Sequence, residues 1–265
     1  MLLVIDAGNT NVTFGLYEGD ALRTHWRIRT QAGRTADEYA ALLHTLFSHQ
    51  SLAFGDVAGV ALASVVPAVT PDLLRLGRQA FGGEPLRVSG RTEMGLRIAY
   101  QPATDVGADR LVDAVAAVHQ FGAPCIVIDF GTATTFNAIA APDDGTERPV
   151  YLGGAICLGI GVSLEALFSR AAKIPPVEIA TPPRAIGDNT AHALQSGIVF
   201  GYVAQVEGMV ARFRAEMGVP DCPVVATGGY SALFAQETRC ITAVDPLLTL
   251  HGLRLVYERQ RALTP

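Results

Sequence analysis

Two stretches of this chain repeat one pattern: Leu2-Leu3-Val4-Ile5-Asp6-Ala7-Gly8-Asn9-Thr10 at the start, and Cys125-Ile126-Val127-Ile128-Asp129-Phe130-Gly131-Thr132-Ala133-Thr134-Thr135 in the middle. Each is an apolar run of strand length that ends in Asp-x-Gly and continues with hydroxyl or amide residues. A second strand is predicted to fold back after each, over Val12–Tyr17 and Thr135–Ala140, with the glycine allowing a tight turn. Such a hairpin suits a phosphate group. Turn N–H groups and Thr or Asn side chains surround the oxygens, and the carboxylate holds a neutralising cation. Residues 6 and 129 lie 123 positions apart. The repeat therefore predicts two similar halves, residues 1–120 and 121–265, facing each other across one nucleotide.

With 265 residues, 49% hydrophobic and 17% charged, the chain can bury a sizeable core. A net charge of −5 without charge blocks gives no footprint for nucleic acid or an anionic membrane. The four cysteines, Cys125, Cys157, Cys222 and Cys240, are far apart and read as buried thiols in a reducing compartment. No signal peptide or membrane-spanning run is legible, so the expected location is the cytoplasm.

Lys173 is the only lysine, and it is followed by Ile174 and Pro175. A Walker P-loop and a protein-kinase strand lysine are thereby excluded. The motifs of zinc hydrolases, thiol redox enzymes and α/β-hydrolases are also absent.

Periodicity predicts a third strand over Ala21–Thr30, a helix over Ala36–His49, a buried strand over Val57–Val66, a helix over Pro71–Phe81 and a short strand at Leu86–Val88. A helix over Gly107–Phe121 leads to the second Asp-x-Gly strand. Beyond it come a strand over Val150–Cys157, a helix over Gly161–Ala172 and a proline-rich loop over Pro175–Arg184. A long helix from Thr190 to about Met217, a strand at Val224–Ala226 and a final helix over Pro246–Arg259 complete the order.

Several residues are candidates for chemistry. Asp6 and Asp129 suit cation binding, although an aspartate at a turn also bonds its own backbone. Gly228-Gly229, after a buried strand, lets backbone approach a flat ligand, or is simply a turn. Asp109 in Gly107-Ala108-Asp109-Arg110 is either a partner for the helix dipole or a general base for an acceptor hydroxyl, with Arg110 offering a donor fork. In Gly187-Asp188-Asn189-Thr190, Asp188 or Asn189 caps the long helix. Gly197 and Gly201 share a face of that helix and admit close approach of another helix, in the core or from a second subunit.

Taken in order, these motifs resemble those of type III pantothenate kinases, in the acetate and sugar kinase, Hsp70 and actin superfamily. The resemblance spans the whole chain. It implies an α/β fold of two duplicated actin-like (ribonuclease H-like) halves around a nucleotide cleft, and ATP-dependent phosphorylation of pantothenate, the first step of coenzyme A synthesis. By the same similarity, Asp6, Ala7, Gly8, Asn9, Thr10, Asn11, Val12, Thr13 and Thr132 hold ATP, and Asp109 is the proton acceptor. Asp129 binds a monovalent cation, K+ or NH4+, and Mg2+ accompanies ATP. Tyr100, Gly107, Ala108, Asp109, Arg110 and Thr190 contact the acceptor, and the chain is a homodimer. Leu158 departs from the family, whose members commonly carry proline there. The alternatives are another small-molecule kinase of the superfamily, or a regulatory homologue that has lost catalysis.

Overall fold

The computed structural model describes residues 1–142, 145–170 and 176–263. They form two compact units. One joins Met1–His119 to the C-terminal segment from Leu248, and the other is Gln120–Leu247.

In the first unit, β1 (Leu2–Ala7), β2 (Asn11–Glu18) and β3 (Ala21–Arg29) form an antiparallel meander. The chain crosses through α1 (Ala36–Ser48) to β4 (Gly59–Ser64), which runs parallel to β1, and through α2 (Thr70–Phe81) to β5 (Leu86–Arg87). The sheet order is β3-β2-β1-β4-β5. Strand alternation sends Leu3, Ile5, Val12, Phe14 and Leu16 into a buried core with Leu43 and Phe47 of α1 and Leu73 and Leu76 of α2. A capping box starts α1: the Thr35 N–H donates to the Glu38 carboxylate at 2.8 Å, and the Glu38 N–H donates to Thr35 Oγ1 at 3.3 Å. The short β6 (Arg97–Ile98) and α3 (Ala108–Phe121) follow.

The second unit repeats this order. β7 (Cys125–Phe130), β8 (Ala133–Ala140) and β9 (Val150–Leu158) form an antiparallel meander. After α4 (Ile160–Arg170) and α5 (Thr190–Met217), β10 (Val224–Gly228) returns parallel to β7. Then α6 (Ser231–Glu237) leads to β11 (Ala243–Val244), parallel to β10. Its strands lie in the order β11-β10-β7-β8-β9, with β7 where the first sheet has β1. Ile126, Ile128 and Phe136 line its core, and the Phe130 and Phe234 rings stack with centroids 5.0 Å apart. The chain is an α/β protein of two actin-like, ribonuclease H-like halves.

The last element departs from a division into residues 1–120 and 121–265. Helix α7 (Leu248–Leu263) packs on β1 and β4 of the first unit. Two glycines make room for it. A side chain at Gly15 would press on Leu250 and Val4 at 3.0 Å, and one at Gly59 would overlap the Tyr257 ring. The buried Leu248, Leu250, Leu253 and Val256 of α7 are covered there. β6, β11 and α6 have no counterpart in the sequence reading, because such short elements complete too little of a period to register. Lys173, the end of the helix expected over Gly161–Ala172 and the first residue of the expected proline-rich loop lie outside the described residues.

Candidate active site

The first hairpin is closed by register and by one backbone bond. Asp6 lies opposite Thr13 and Ala7 opposite Val12, leaving Gly8, Asn9 and Thr10 as the turn. The Gly8 N–H donates to the Asn11 carbonyl at 3.0 Å. Asn9 and Thr10 are exposed, Asp6, Gly8 and Asn11 are half-buried, and Ala7, Val12 and Thr13 are buried. Thr30, just past β3, clamps the turn. Its N–H donates to the Thr10 carbonyl at 3.0 Å and its Oγ1 to the Gly8 carbonyl at 2.6 Å. The carbonyls of Gly8, Thr10 and Asn11 thus already have internal partners, as buried or crowded backbone acceptors require. Sequence reasoning missed Thr30 as a clamp; its only signal is a hydroxyl residue at the end of a predicted strand.

The glycines of the two hairpins do not serve the expected purpose. Neither Gly8 nor Gly131 has a positive φ, so no left-handed turn demands them. A side chain at Gly8 would sit at an ordinary 3.4 Å from the Asn11 carbonyl, so its absence serves to leave the turn backbone bare. At Gly131 a side chain would come within 3.1 Å of Asp129 Oδ2, and the glycine leaves that carboxylate room.

In the second hairpin Asp129 lies opposite Thr135 and beside Thr227, and the Gly131 N–H donates to the Ala133 carbonyl at 3.1 Å. Thr132 is exposed, whereas Thr134 is fully buried, so only the first of these hydroxyls faces solvent. The glycine pair divides its duties. Gly228 has φ +87°, and a side chain there would lie 2.5 Å from Asp129 Oδ1 and 2.7 Å from the Phe130 backbone. That close approach is to β7, not to a ligand. Gly229 has open space where a side chain would stand, and is the member of the pair a ligand can approach.

The Gly107–Arg110 segment belongs to the first unit and meets the end of β1 there. The Val65 N–H donates to the Ala7 carbonyl at 3.1 Å. A side chain at Gly107 would meet Val65 Cγ1 at 3.3 Å and collide with the Asp109 carboxylate. Asp109 is half-buried near the start of α3, and the Arg110 N–H donates to its Oδ1 at 2.7 Å. Burial pushes the Asp109 carboxyl above the ordinary range, against the opposing pull of that hydrogen bond and the Arg110 charge. Ala108 is buried, as are the side chains of Arg110 and Asp113 three positions on. Tyr100 is exposed.

Thr190 is the exposed first residue of α5, in the second unit with Asp129 and Thr132. Asn189 caps that helix, its Oδ1 accepting from the His192 N–H at 2.9 Å. Asp188 accepts from Arg184 Nη2 at 2.6 Å, and His192 followed by Arg184 holds its carboxyl below the ordinary range. Leu158 belongs to β9, opposite Ala133, and its side chain is exposed. Gly197 and Gly201 are exposed and, with Cys157, Leu158, Ser163, Tyr202 and Gln205, line a depression of about 410 Å³. All four cysteines are free, and burial pushes the Cys125 thiol up to about 12, so it stays protonated.

The family model for type III pantothenate kinase matches residues 2–212. A relative from Moorella thermoacetica named type III pantothenate kinase is 48% identical over 98% of this chain and 99% of its own length. One of the same name from Brevibacillus brevis is 50% identical over 99% of this chain and all of its own. Solved structures share the fold at lower identity. A Campylobacter jejuni protein assigned to the Baf family of transcriptional activators superposes with TM-score 0.60 at 16% identity, covering 98% of this chain and 99% of that one. Component A of the Acidaminococcus fermentans (R)-2-hydroxyglutaryl-CoA dehydratase does so with TM-score 0.57 at 13% identity, covering 99% of each. At those identities the likeness speaks for the fold alone. The model match over most of the chain, with relatives near half identity end to end, decides the family: this chain belongs to the type III pantothenate kinases.

Proposed function

We propose that the chain transfers the γ-phosphoryl group of ATP to the primary hydroxyl of pantothenate, giving 4'-phosphopantothenate and ADP at the first step of coenzyme A biosynthesis. The carrying observation is the packing of the half-buried Asp109, through Gly107 and Val65, against the end of the strand that bears the first hairpin. Asp6, Ala7, Gly8, Asn9, Thr10, Asn11, Val12, Thr13 and Thr132 hold ATP. Tyr100, Gly107, Ala108, Asp109, Arg110 and Thr190 receive pantothenate, whose carboxylate suits the planar Arg110 fork. The pantothenate hydroxyl oxygen bonds to the γ-phosphorus as the bond from that phosphorus to the β,γ-bridging oxygen breaks. Asp109 takes the hydroxyl proton, and ADP leaves with the bridging electron pair. The loose transition state of such transfers asks for alignment and charge neutralisation more than for a strong nucleophile.

Asp129 fits a monovalent cation, K+ or NH4+, because Gly228 and Gly131 keep side chains away from its Oδ1 and Oδ2. Among the described residues no three His, Cys, Asp or Glu side chains gather as a metal cage. Mg2+ enters with the ATP phosphates, with Asp6 at hand as a carboxylate ligand. When bound, these cations supply positive charge against the phosphate oxygens.

The reading extends to a homodimer, supported by the exposed Gly197 and Gly201 beside the exposed Leu158. The cytoplasm is the proposed location; no helix among the described residues is long and apolar enough to cross a membrane. A coupled assay of ADP release tests the whole. ADP should appear only when pantothenate is added, and more slowly when sodium replaces potassium. Release with a sugar or another carboxylate instead would favour a different kinase of the superfamily, and none at millimolar ATP would favour a silent regulator.

A further inference from the structure

The kinase reading leaves a charge unassigned. A triphosphate is strongly anionic, and there is no lysine among the described residues to meet it. Strand register supplies a candidate. Across the first sheet, Ala63 of β4, Asp6 of β1, Thr13 of β2 and Arg27 of β3 pair in one row. Directly paired residues share a face of a sheet. Asp6, Thr13 and Arg27 therefore stand on the same face, opposite the one that carries Ile5, Val12 and Phe14 into the core. Two strand spacings, about 10 Å, separate Arg27 from Asp6 at the backbone, and an arginine side chain covers much of that span. Arg29 lies two residues on, opposite Asn11, on the same face and next to the turn that Thr30 clamps.

Three observations favour a ligand for this pair. Both side chains are exposed on the outermost strand, and neither guanidinium is used in a hydrogen bond or ion pair among the described residues. Arg23, at the other end of β3, is by contrast paired with Glu18 at 2.9 Å. The duplicated sheet supplies an internal comparison. There the equivalent row runs Thr227, Asp129, Thr135, Ile156, and Leu158 pairs with Ala133 where Arg29 pairs with Asn11. The architecture accepts apolar residues at these two positions, so the arginines of β3 are not a requirement of the fold.

We propose that Arg27, with Arg29 beside it, is the cationic donor to the phosphate tail of the nucleotide at the first hairpin. Its planar fork binds phosphate oxygens bidentately and supplies charge that other nucleotide-binding folds draw from a lysine. The proposal rests on the reading of this hairpin as the ATP grip, but not on the identity of the acceptor.

The test measures equilibrium binding of ATP and of adenosine, together with steady-state kinetics, for Arg27→Gln, Arg27→Lys, Arg29→Gln and, as a control, Arg23→Gln. Loss of a charge-assisted hydrogen bond should weaken ATP binding by Arg27→Gln about 10- to 100-fold. Adenosine binding, the KM for pantothenate and the melting temperature should stay near wild type. Arg27→Lys should recover part of the loss, Arg29→Gln should lose less, and Arg23→Gln should lose nothing. If Arg27→Gln and Arg29→Gln both bind ATP as the wild type does, or if adenosine affinity falls in parallel with ATP affinity, the proposal is overturned. A wild-type protein that binds ATP in this Arg27-dependent way yet transfers nothing to pantothenate would overturn the function above and leave this assignment supported.

Discussion

Asp109 bears two opposed demands. Burial raises its carboxyl pKa, which brings a general base closer to the pH at which it works. The same burial makes ionisation unfavourable in the folded state. Above the ordinary carboxylate pKa the unfolded chain holds this group charged more readily than the folded chain does. Its ionisation therefore costs stability as pH rises through that window, and the cost vanishes below it. Asp109→Asn should lower turnover about 10²- to 10⁴-fold while leaving ATP affinity near wild type. The same variant should melt higher than wild type at neutral pH, with the difference closing as pH falls below the ordinary carboxylate range. The acid limb of the wild-type kcat profile should sit above that range. Turnover unchanged in Asp109→Asn would remove the base assignment, and a lower melting temperature at neutral pH would contradict the burial cost.

At the scale of elements, the strand ends decide which residues can act. β10 ends where Gly228 turns left-handed against the Asp129 carboxylate, a place with neither the φ nor the space for a side chain. Gly228→Ala should cost about 1–3 kcal/mol and weaken the potassium dependence proposed above, because the methyl group displaces the Asp129 carboxylate. Gly229→Ala, with open space around it, should fold with near-wild-type stability. Equal melting temperatures for the two variants would refute this division of labour, which denaturation curves read directly. Here the sequence was partly legible. The Asp-x-Gly strands, the meanders and the Gly107–Arg110 helix start are local patterns, and period and turn chemistry reveal them. That Gly228 answers to Asp129, nearly a hundred residues earlier, is a tertiary contact with no local trace. Thr30 was hidden for the same reason, since its clamp on Gly8 and Thr10 exists only once β3 is paired.

For the molecule as a whole, the duplication shows in the five-strand order the two units share, β3-β2-β1-β4-β5 in the first and β9-β8-β7-β10-β11 in the second. The sequence halves predicted that repeat, but not where the last helix goes. Helix α7 buries its apolar face in the first unit, where Gly15 and Gly59 leave room for its side chains. Gly197 and Gly201 of α5 are exposed and line one depression with Leu158, which is 69% accessible, a surface that another helix could approach closely. Sedimentation at micromolar concentration should give a dimer, and Gly201→Glu should give a folded monomer. A wild-type monomer would exclude the subunit interface.

The central claim is that this chain moves a phosphoryl group from ATP to pantothenate with Asp109 as the base. Incubation with ATP labelled in its γ-phosphate, followed by separation of the products, tests it most directly. The label should appear in 4'-phosphopantothenate with the wild-type chain, and fall at least about a hundredfold in rate with Asp109→Asn. Label remaining in ATP or released only as inorganic phosphate, with pantothenate unmodified, would contradict it.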